Sequence, residues 1–303
     1  MKHLMHKLTN PMALAGGDYT EMVEVLKEAM PDKMLLHIDH AGNAIFTPHG
    51  PTKPTTYLTA HMDEIGIMIS KKDGDCYKFT NIGGIDARIL PGSTFKFENG
   101  TMGVIGMPAP HIAKKRDTVV PIDKLRIETF GAKLSVGDVG VFDTKAAYLN
   151  GSFVSRNVDN RAGCAILVKV AEKMIPNVGY VFLVNEEIGL KGATAFFNKH
   201  PEVEKVINVD VCLETDLGKG CYVELKDGAY IINKELKEAF KACGAERFCV
   251  GTGGTSDHAV AMLHCKTAAI ALPSKFIHSG IGAVHLDDLK DAVKLIVKAL
   301  RRL

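Results

Sequence analysis

This 303-residue sequence predicts an α/β fold interrupted by a small β domain. Three observations point there. Apolar strands alternate with amphipathic helices toward both ends of the chain. Between them, from about residue 65 to 153, short extended runs are separated by glycine-bearing turns. Apolar residues make up 46% and charged residues 24%, proportions of a globular chain long enough for two domains.

The elements follow in order. Tyr19 to Met30 carries Met22, Val23, Leu26 and Met30 at helical spacing and stops before Pro31. An extended segment, Met34–Ile38, leads to a turn at Gly42-Asn43, and the strand Tyr57–Ala60 runs straight into His61. Ile67–Ile69, Tyr77–Phe79, Ser93–Phe97, Gly103–Ile105 and Val139–Phe142 read as the strands of the β domain. Turns at Asp73-Gly74, Gly83-Gly84, Pro91-Gly92 and Asn99-Gly100 separate them, and the basic stretch His111 to Lys124 reads as an exposed loop.

After Asn157 the α/β alternation returns. Helices are expected over Arg161–Met174, Leu190–Asn198 and Asp257–Leu263, and buried strands over Gly179–Val184, Lys205–Val209 and Ala268–Leu272. The last helix, Leu286–Leu303, places Leu286, Leu289, Val293, Ile296 and Leu300 on one stripe. Its Arg301-Arg302 end suits a helix C-terminus. The expected division is a discontinuous α/β domain, residues 1–64 and 154–303, with residues 65–153 inserted as the β domain.

Several function classes are set aside. The net charge is +2 with no basic stripe, which argues against nucleic acid as a partner. No run approaches 18 apolar residues and the first ten residues lack an apolar signal core, so neither a membrane partner nor a secretory leader is expected. Seven cysteines show no C-x-x-C pair, and Cys164, Cys212 and Cys265 sit in apolar runs as small buried hydrophobes. A reducing, cytoplasmic compartment is the expectation.

In α/β sheets, functional groups collect beyond the C-terminal ends of strands. Here the strand Tyr57–Ala60 ends in His61 and Asp63, Val181–Val184 in Asn185-Glu186-Glu187, and Val206–Val209 in Asp210. The strand Ala268–Leu272 leads to His278, and Asp159 opens a helix. Each has a simpler reading alone: Asp159 as a helix cap, Asp210 as a turn residue, the glutamate pair as solvated charge. Together they offer two imidazoles and several carboxylates on one rim, a ligand set for two divalent metals. Zinc is the first choice, with cobalt or manganese also suited. Of two adjacent glutamates, one can ligate while the other takes the proton from water.

The other histidines lack carboxylates at ligand spacing. Ser256-Asp257-His258 is no catalytic triad, because three consecutive side chains cannot converge as one, and no G-x-S-x-G elbow is present. The glycine-rich run 251–254 lacks the lysine of a phosphate loop and reads as a tight loop shaping a substrate pocket, with Gly253, Gly254, Asp257 and His258 as its contacts.

The chain resembles the TET-type di-metal aminopeptidases of metallopeptidase family forty-two, a group that also carries glutamyl aminopeptidase and endoglucanase names. The resemblance rests on A-H-M-D-E-I-G at 60–66, I-G-G-I-D-A-R-I-L-P-G at 82–92 and G-V-I-G at 103–106. It continues through V-D-N-R-A-G-C-A at 158–165, N-E-E-I-G-L-K-G-A at 185–193, D-V at 210–211, G-G-T-S-D at 253–257 and I-H-S at 277–279. It implies a mixed-sheet metallopeptidase domain with helices on both faces, and a β domain that mediates dimerisation and assembly up to a dodecamer. It also implies that Asp159 bridges two metals, that His61 and Asp210 complete one site and Glu187 and His278 the other. Glu186 then matches the general base and Asp63 the carboxylate that orients His61. The substrates implied are short peptides with free N-termini. His258, where relatives carry a small residue, and a shortened segment after Asp210 depart from the pattern and bear on substrate preference.

Two rivals stand beside the aminopeptidase reading. One is a deacylase of N-acyl amino acids or peptides on the same metals; the other is a non-catalytic assembly protein, against which the intact Glu186 argues. A glycosidase ranks below both, because it needs two unmetallated carboxylates flanking the bond.

Overall fold

The computed structural model describes residues 1–107, 111, 119–214, 216–251 and 254–303. Half of the basic stretch 111–124, residues 112–118, and the predicted pocket residue Gly253 therefore lie outside the described residues. The chain opens with α1 (Lys2–Thr9) and α2 (Thr20–Ala29), then strands β1 (Met34–Ile38), β2 (Ala44–Pro48) and β3 (Thr56–His61). Six short strands follow: β4 (Gly66–Asp73), β5 (Cys76–Ile82), β6 (Thr94–Phe97), β7 (Met102–Ile105), β8 (Ile127–Glu128) and β9 (Val139–Phe142). Next come β10 (Ala147–Leu149), β11 (Ser152–Ser155), α3 (Val158–Ala171), β12 (Val178–Leu183), α4 (Lys191–Lys199) and β13 (Lys205–Glu214). The last part holds β14 (Tyr222–Asp227), β15 (Tyr230–Ile231), α5 (Lys234–Ala242), β16 (Phe248–Val250), α6 (His258–Ala261), β17 (Lys266–Lys275), β18 (Gly282–His285) and α7 (Leu286–Leu300).

Among the described residues, twelve strands form one mixed sheet with its main path in the order β1-β2-β12-β3-β13-β17-β18-β11-β10. Its centre is parallel: β12 with β3, β3 with β13, and β13 with β17. Strands β3 and β12 are buried along their whole length, as parallel strands covered on both faces must be. The two-residue period splits them between two cores. Leu58, Ala60, Tyr180, Phe182, Ile207 and Val209 join the core under α1, α2, α3, α5 and α7. Tyr57, Val181, Leu183 and Val206 face the opposite core with Phe196 and Phe197 of α4 and Ala261 of α6.

Strands β4 to β9 close a separate barrel in the order β4-β5-β8-β7-β6-β9. Alternate residues Ile67 and Ile69, Tyr77 and Phe79, and Phe95 and Phe97 fill its own core. The β-rich segment expected over 65–153 thus supplies the barrel from Gly66 to Phe142, whereas β10 and β11 pair onward through β18 into the large sheet.

Two sequence expectations need correction. The strand holding Asp210 does not stop there; β13 runs to Glu214, because β17 continues to pair with it after β3 has stopped at Asn208. The helix expected over 257–263 is the single turn His258–Ala261.

Candidate functional site

The parallel strands end on one rim and deliver the predicted side chains together. By the two-residue period, His61 lies on the same sheet face as Tyr57 and Thr59, and Asp210 on the same face as Val206 and Asn208. Thr59 Oγ1 donates to Asn208 Oδ1 at 2.7 Å, tying the two strands one step below the ligands. Glu186 and Glu187 follow β12 after Asn185, whose left-handed φ of 58° turns the chain across the rim. His278 follows β17. Asp159 precedes the regular part of α3: it and Asn160 have non-helical backbone angles, Asn160 Oδ1 accepts the N–H of Gly163 at 2.9 Å, and Asn160 Nδ2 donates to Val209 O at 2.8 Å.

Asp159 stands between the histidines. Its Oδ1 is 3.1 Å from His61 Nε2, and its Oδ2 is 3.5 Å from His278 Nε2. Asp210 Oδ1 is 3.7 Å from His61 Nε2, and Glu187 Oε2 is 3.7 Å from His278 Nε2. His61, Asp159 and Asp210 offer ligand atoms within 4.8 Å of one another, as do Asp159, Glu187 and His278, and also His61, Glu186 and Glu187.

Neighbouring groups orient these side chains. Asp63, fully buried, has Oδ1 3.5 Å from His61 Nδ1 and accepts the backbone N–H groups of Glu186 and Glu187 at 3.2 Å each. Ser256 Oγ donates to Asp210 Oδ2. His278 Nδ1 bonds the carbonyl of Gly84, in the loop after barrel strand β5, at 2.7 Å. Gly83, at φ 76°, also meets the site: an added Cβ would lie 3.2 Å from Glu187 Oε2.

The electrostatics are those of a site short of cations. Burial pushes the Glu187 carboxyl up to about 8, with the charge of Asp159 adding to it, and burial pushes Asp210 up to about 6. Glu186 is raised well above its ordinary range, again by burial and then by Asp257, Asp210 and Glu187 against the pull of His61. Burial by itself lowers the His61 imidazole, but Asp210, Glu186, Asp159 and Asp63 outweigh it and hold it well above its ordinary value. Glu187 and Asp159 do the same for His278. Asp159 alone sits low, because its bond to His61 and the charges of both histidines exceed the effect of burial.

The donor set fits divalent cations. Two imidazole nitrogens and the oxygens of four carboxylates converge, and no lysine or arginine is among the described residues lining the adjoining cavity. His61 Nδ1 is buried without a hydrogen-bond partner, facing Asp63 at 3.5 Å. A metal on Nε2 would charge the ring and strengthen that contact.

A cavity of about 240 Å³ adjoins the cluster, lined by His61, Asp159, Glu186, Asp210 and His278. Of the predicted substrate contacts, Gly254 and His258 line it, whereas Asp257 is buried and absent from its wall. Ser256, Asp257 and His258 diverge: the first holds Asp210, the second has both carboxyl oxygens buried without partners, and the third turns Nε2 toward Glu224 at 3.6 Å.

Sequence reasoning missed four contributors. Ser256 and Gly84 contact Asp210 and His278, 46 and 194 positions away; both lie in quoted motifs, at 253–257 and 82–92, but no spacing announces the contacts. Glu64 and Arg161, a buried pair at 3.2 Å beneath the site, carried a signal: charges embedded in the apolar motifs at 60–66 and 158–165.

The profile of the family described as M42 glutamyl aminopeptidase matches residues 42–295. The lysyl aminopeptidase of Pyrococcus furiosus is 24% identical, over 99% of this chain and 96% of its own. The glutamyl aminopeptidase of Lactococcus lactis is 24% identical over 79% of this chain and 78% of its own. Among solved structures, the TET1 peptidase of Pyrococcus horikoshii, which can assemble into a tetrahedron or a large octahedral shell, matches with a TM-score of 0.88 at 28% identity over 98% of each chain. Together with a mixed α/β sheet and a closed barrel, these matches make the chain an aminopeptidase, a hydrolase that belongs to the M42 glutamyl aminopeptidase family.

Proposed function

We propose that this aminopeptidase is metal-dependent and releases N-terminal residues from short peptides, with His61, Asp159, Glu187, Asp210 and His278 holding two divalent cations. The observation that carries this reading is the placement of Asp159, one carboxylate oxygen facing each histidine, at 3.1 and 3.5 Å. His61, Asp159 and Asp210 would hold one cation, and Asp159, Glu187 and His278 the other. Two such cations supply Lewis acidity for the attacking water and for the carbonyl oxygen that gains charge. Zinc suits the donors, as do cobalt and manganese.

The chain's own residues do the rest. Glu186 lines the cavity, and among the described residues nothing hydrogen-bonds to its carboxylate, so it is free to take the proton of the attacking water. It returns that proton to the leaving amine. Asp63 holds the Glu186-Glu187 backbone and the His61 ring, which fixes base and ligands as one unit. Gly254, Asp257 and His258 belong to the substrate side in this reading, Asp257 from beneath the wall.

The catalytic unit is residues 1–64 with 154–303, and residues 65–153 form the assembly unit. The TET1 peptidase can assemble into a tetrahedron or a large octahedral shell, and a homo-oligomer built from dimers, up to a dodecamer, is proposed here by that likeness. No helix among the described residues is long and apolar enough to cross a membrane. All seven cysteines are free thiols, which suits a cytoplasmic setting.

The test is hydrolysis of aminoacyl-p-nitroanilides by chelated protein before and after zinc, cobalt or manganese is restored. Activity lost on chelation and regained with metal is expected. Release of acetate from N-acetylated peptides, with no p-nitroaniline from substrates with a free amine, would replace the proposal with the deacylase.

A further inference from the structure

The cavity beside Glu186 does not end at the ligand cluster. It continues to an inner wall built from β14, β16, β17 and α6, where Glu224, Asp227 and His258 stand among Val250 and Ile270. These three polar residues offer ligand atoms within 4.8 Å of one another. Glu224 is only 6% exposed, and among the described residues nothing hydrogen-bonds to its carboxylate. Asp227 Oδ1 accepts the Gly254 N–H at 3.1 Å, which fixes one carboxylate oxygen at the cavity wall.

His258 makes a second, independent observation. It is 3% exposed; Asn208 Nδ2 lies 3.4 Å from its Nδ1, while its Nε2 is buried without a hydrogen-bond partner, 3.6 Å from Glu224 Oε2. Burial lowers this imidazole to about 4, so it brings no positive charge. Burial, then Asp227 and Asp210, push the Glu224 carboxyl up to about 8. Two carboxyl groups face a partly apolar chamber in which the described lining has no lysine or arginine. A cation from outside would ionise the Glu224 carboxyl and satisfy its oxygens, which no described donor reaches.

We propose that this end of the cavity receives the side chain of the substrate's N-terminal residue and selects lysine or arginine. The ammonium or guanidinium group meets Glu224 and Asp227, and the methylene stem lies against Val250 and Ile270. This rests on the aminopeptidase reading above, since it is the bond next to the bound residue that must reach Glu186.

The test compares lysyl-, arginyl-, norleucyl-, leucyl- and glutamyl-p-nitroanilides with the metal-restored enzyme and its Glu224→Gln variant. Norleucine keeps the stem of lysine without the charge. The wild type is expected to favour lysyl over norleucyl by about tenfold or more in kcat/KM, and Glu224→Gln to reduce that ratio by about tenfold. A preference for glutamyl or leucyl substrates, or a lysyl-to-norleucyl ratio untouched by the substitution, overturns the proposal. Calorimetric binding of lysinamide against norleucinamide gives a readout independent of turnover. Tighter lysinamide binding by a protein that cleaves nothing keeps the pocket and removes the aminopeptidase reading; equal binding removes the pocket. A third divalent cation per chain, lost in Glu224→Gln, would assign the cluster to a metal and overturn the proposal. If Glu224→Gln does not fold, Asp227→Asn takes its place.

Discussion

His278 Nδ1 lies 2.7 Å from the carbonyl oxygen of Gly84, so the His278 loop of the large sheet is oriented by the loop that follows barrel strand β5. The bond places the ring proton on Nδ1 and leaves Nε2 as the face toward Asp159 and Glu187. A Cβ at position 84 would sit 2.9 Å from that nitrogen. Gly84→Ala is expected to displace the imidazole and lower metal affinity or activity by about 10- to 100-fold, with unchanged circular dichroism. Metal titration of the variant is the check, and wild-type affinity would show that the barrel loop does not position His278.

Glu186→Gln is expected to lower kcat by about 10²- to 10⁴-fold while leaving two metals per chain. Metal analysis beside the kinetics separates base from ligand. A loss of one metal would move Glu186 into the ligand set, which His61, Glu186 and Glu187 are close enough to form.

The sheet centre and the clustering of the candidate side chains were legible for one reason: β3, β12 and the first part of β13 are mostly apolar runs, and each leads into a side chain that the structure brings to the cluster. The strip from β14 to β16 was not, because it mixes charge with apolar residues, and α5 buries only Leu236 and Phe240, a stripe too thin to stand out. Strand β8 is two residues long, below any periodic signal. The inner wall was illegible for another reason. Glu224 and His258 are 34 positions apart and become neighbours only when β14 packs antiparallel against β17 and α6 folds beside it.

Removing metal should expose the charge imbalance as pH-dependent stability. Burial raises Asp210 to about 6 and Glu187 to about 8, and despite burial the surrounding carboxylates raise His61 and His278. Groups with raised folded values bind protons more tightly in the folded chain. The two carboxyls therefore stabilise it fully below about pH 4 and the histidines below about pH 6.5, and the effect is lost as pH climbs through the folded values. Asp159, held low, opposes this only near and below its ordinary value. The chelated protein is expected to lose stability between about pH 5 and pH 8, whereas bound cations take the place of the protons. The gap in Tm should widen with pH, to about 5 °C or more at pH 8. Thermal scans with and without chelator measure it, and a gap that narrows with pH would contradict the account.

Glu64 separates a structural charge from the proposed ligands beside it. It is 2% exposed, and its Oε1 accepts from Arg161 Nη2 at 3.2 Å, Asn157 Nδ2 at 3.3 Å and Ala13 N at 3.1 Å. Its Oε2 accepts from Arg156 Nε at 2.8 Å. Arg161, fully buried, turns its other amino group to the Leu8 carbonyl at 2.7 Å, so the pair ties α1 and α3 to the end of β3. Glu64→Gln keeps the shape but leaves a buried guanidinium without its counter-charge, at a cost of about 3–5 kcal/mol. Glu235, paired with Lys266 on the surface, is the control: its glutamine variant should unfold at the wild-type denaturant concentration. Because Glu64 faces the arginines rather than the ligands, folded Glu64→Gln at low temperature should bind metal as the wild type does. A Glu64→Gln protein of normal stability that binds metal poorly would instead join this carboxylate to the site.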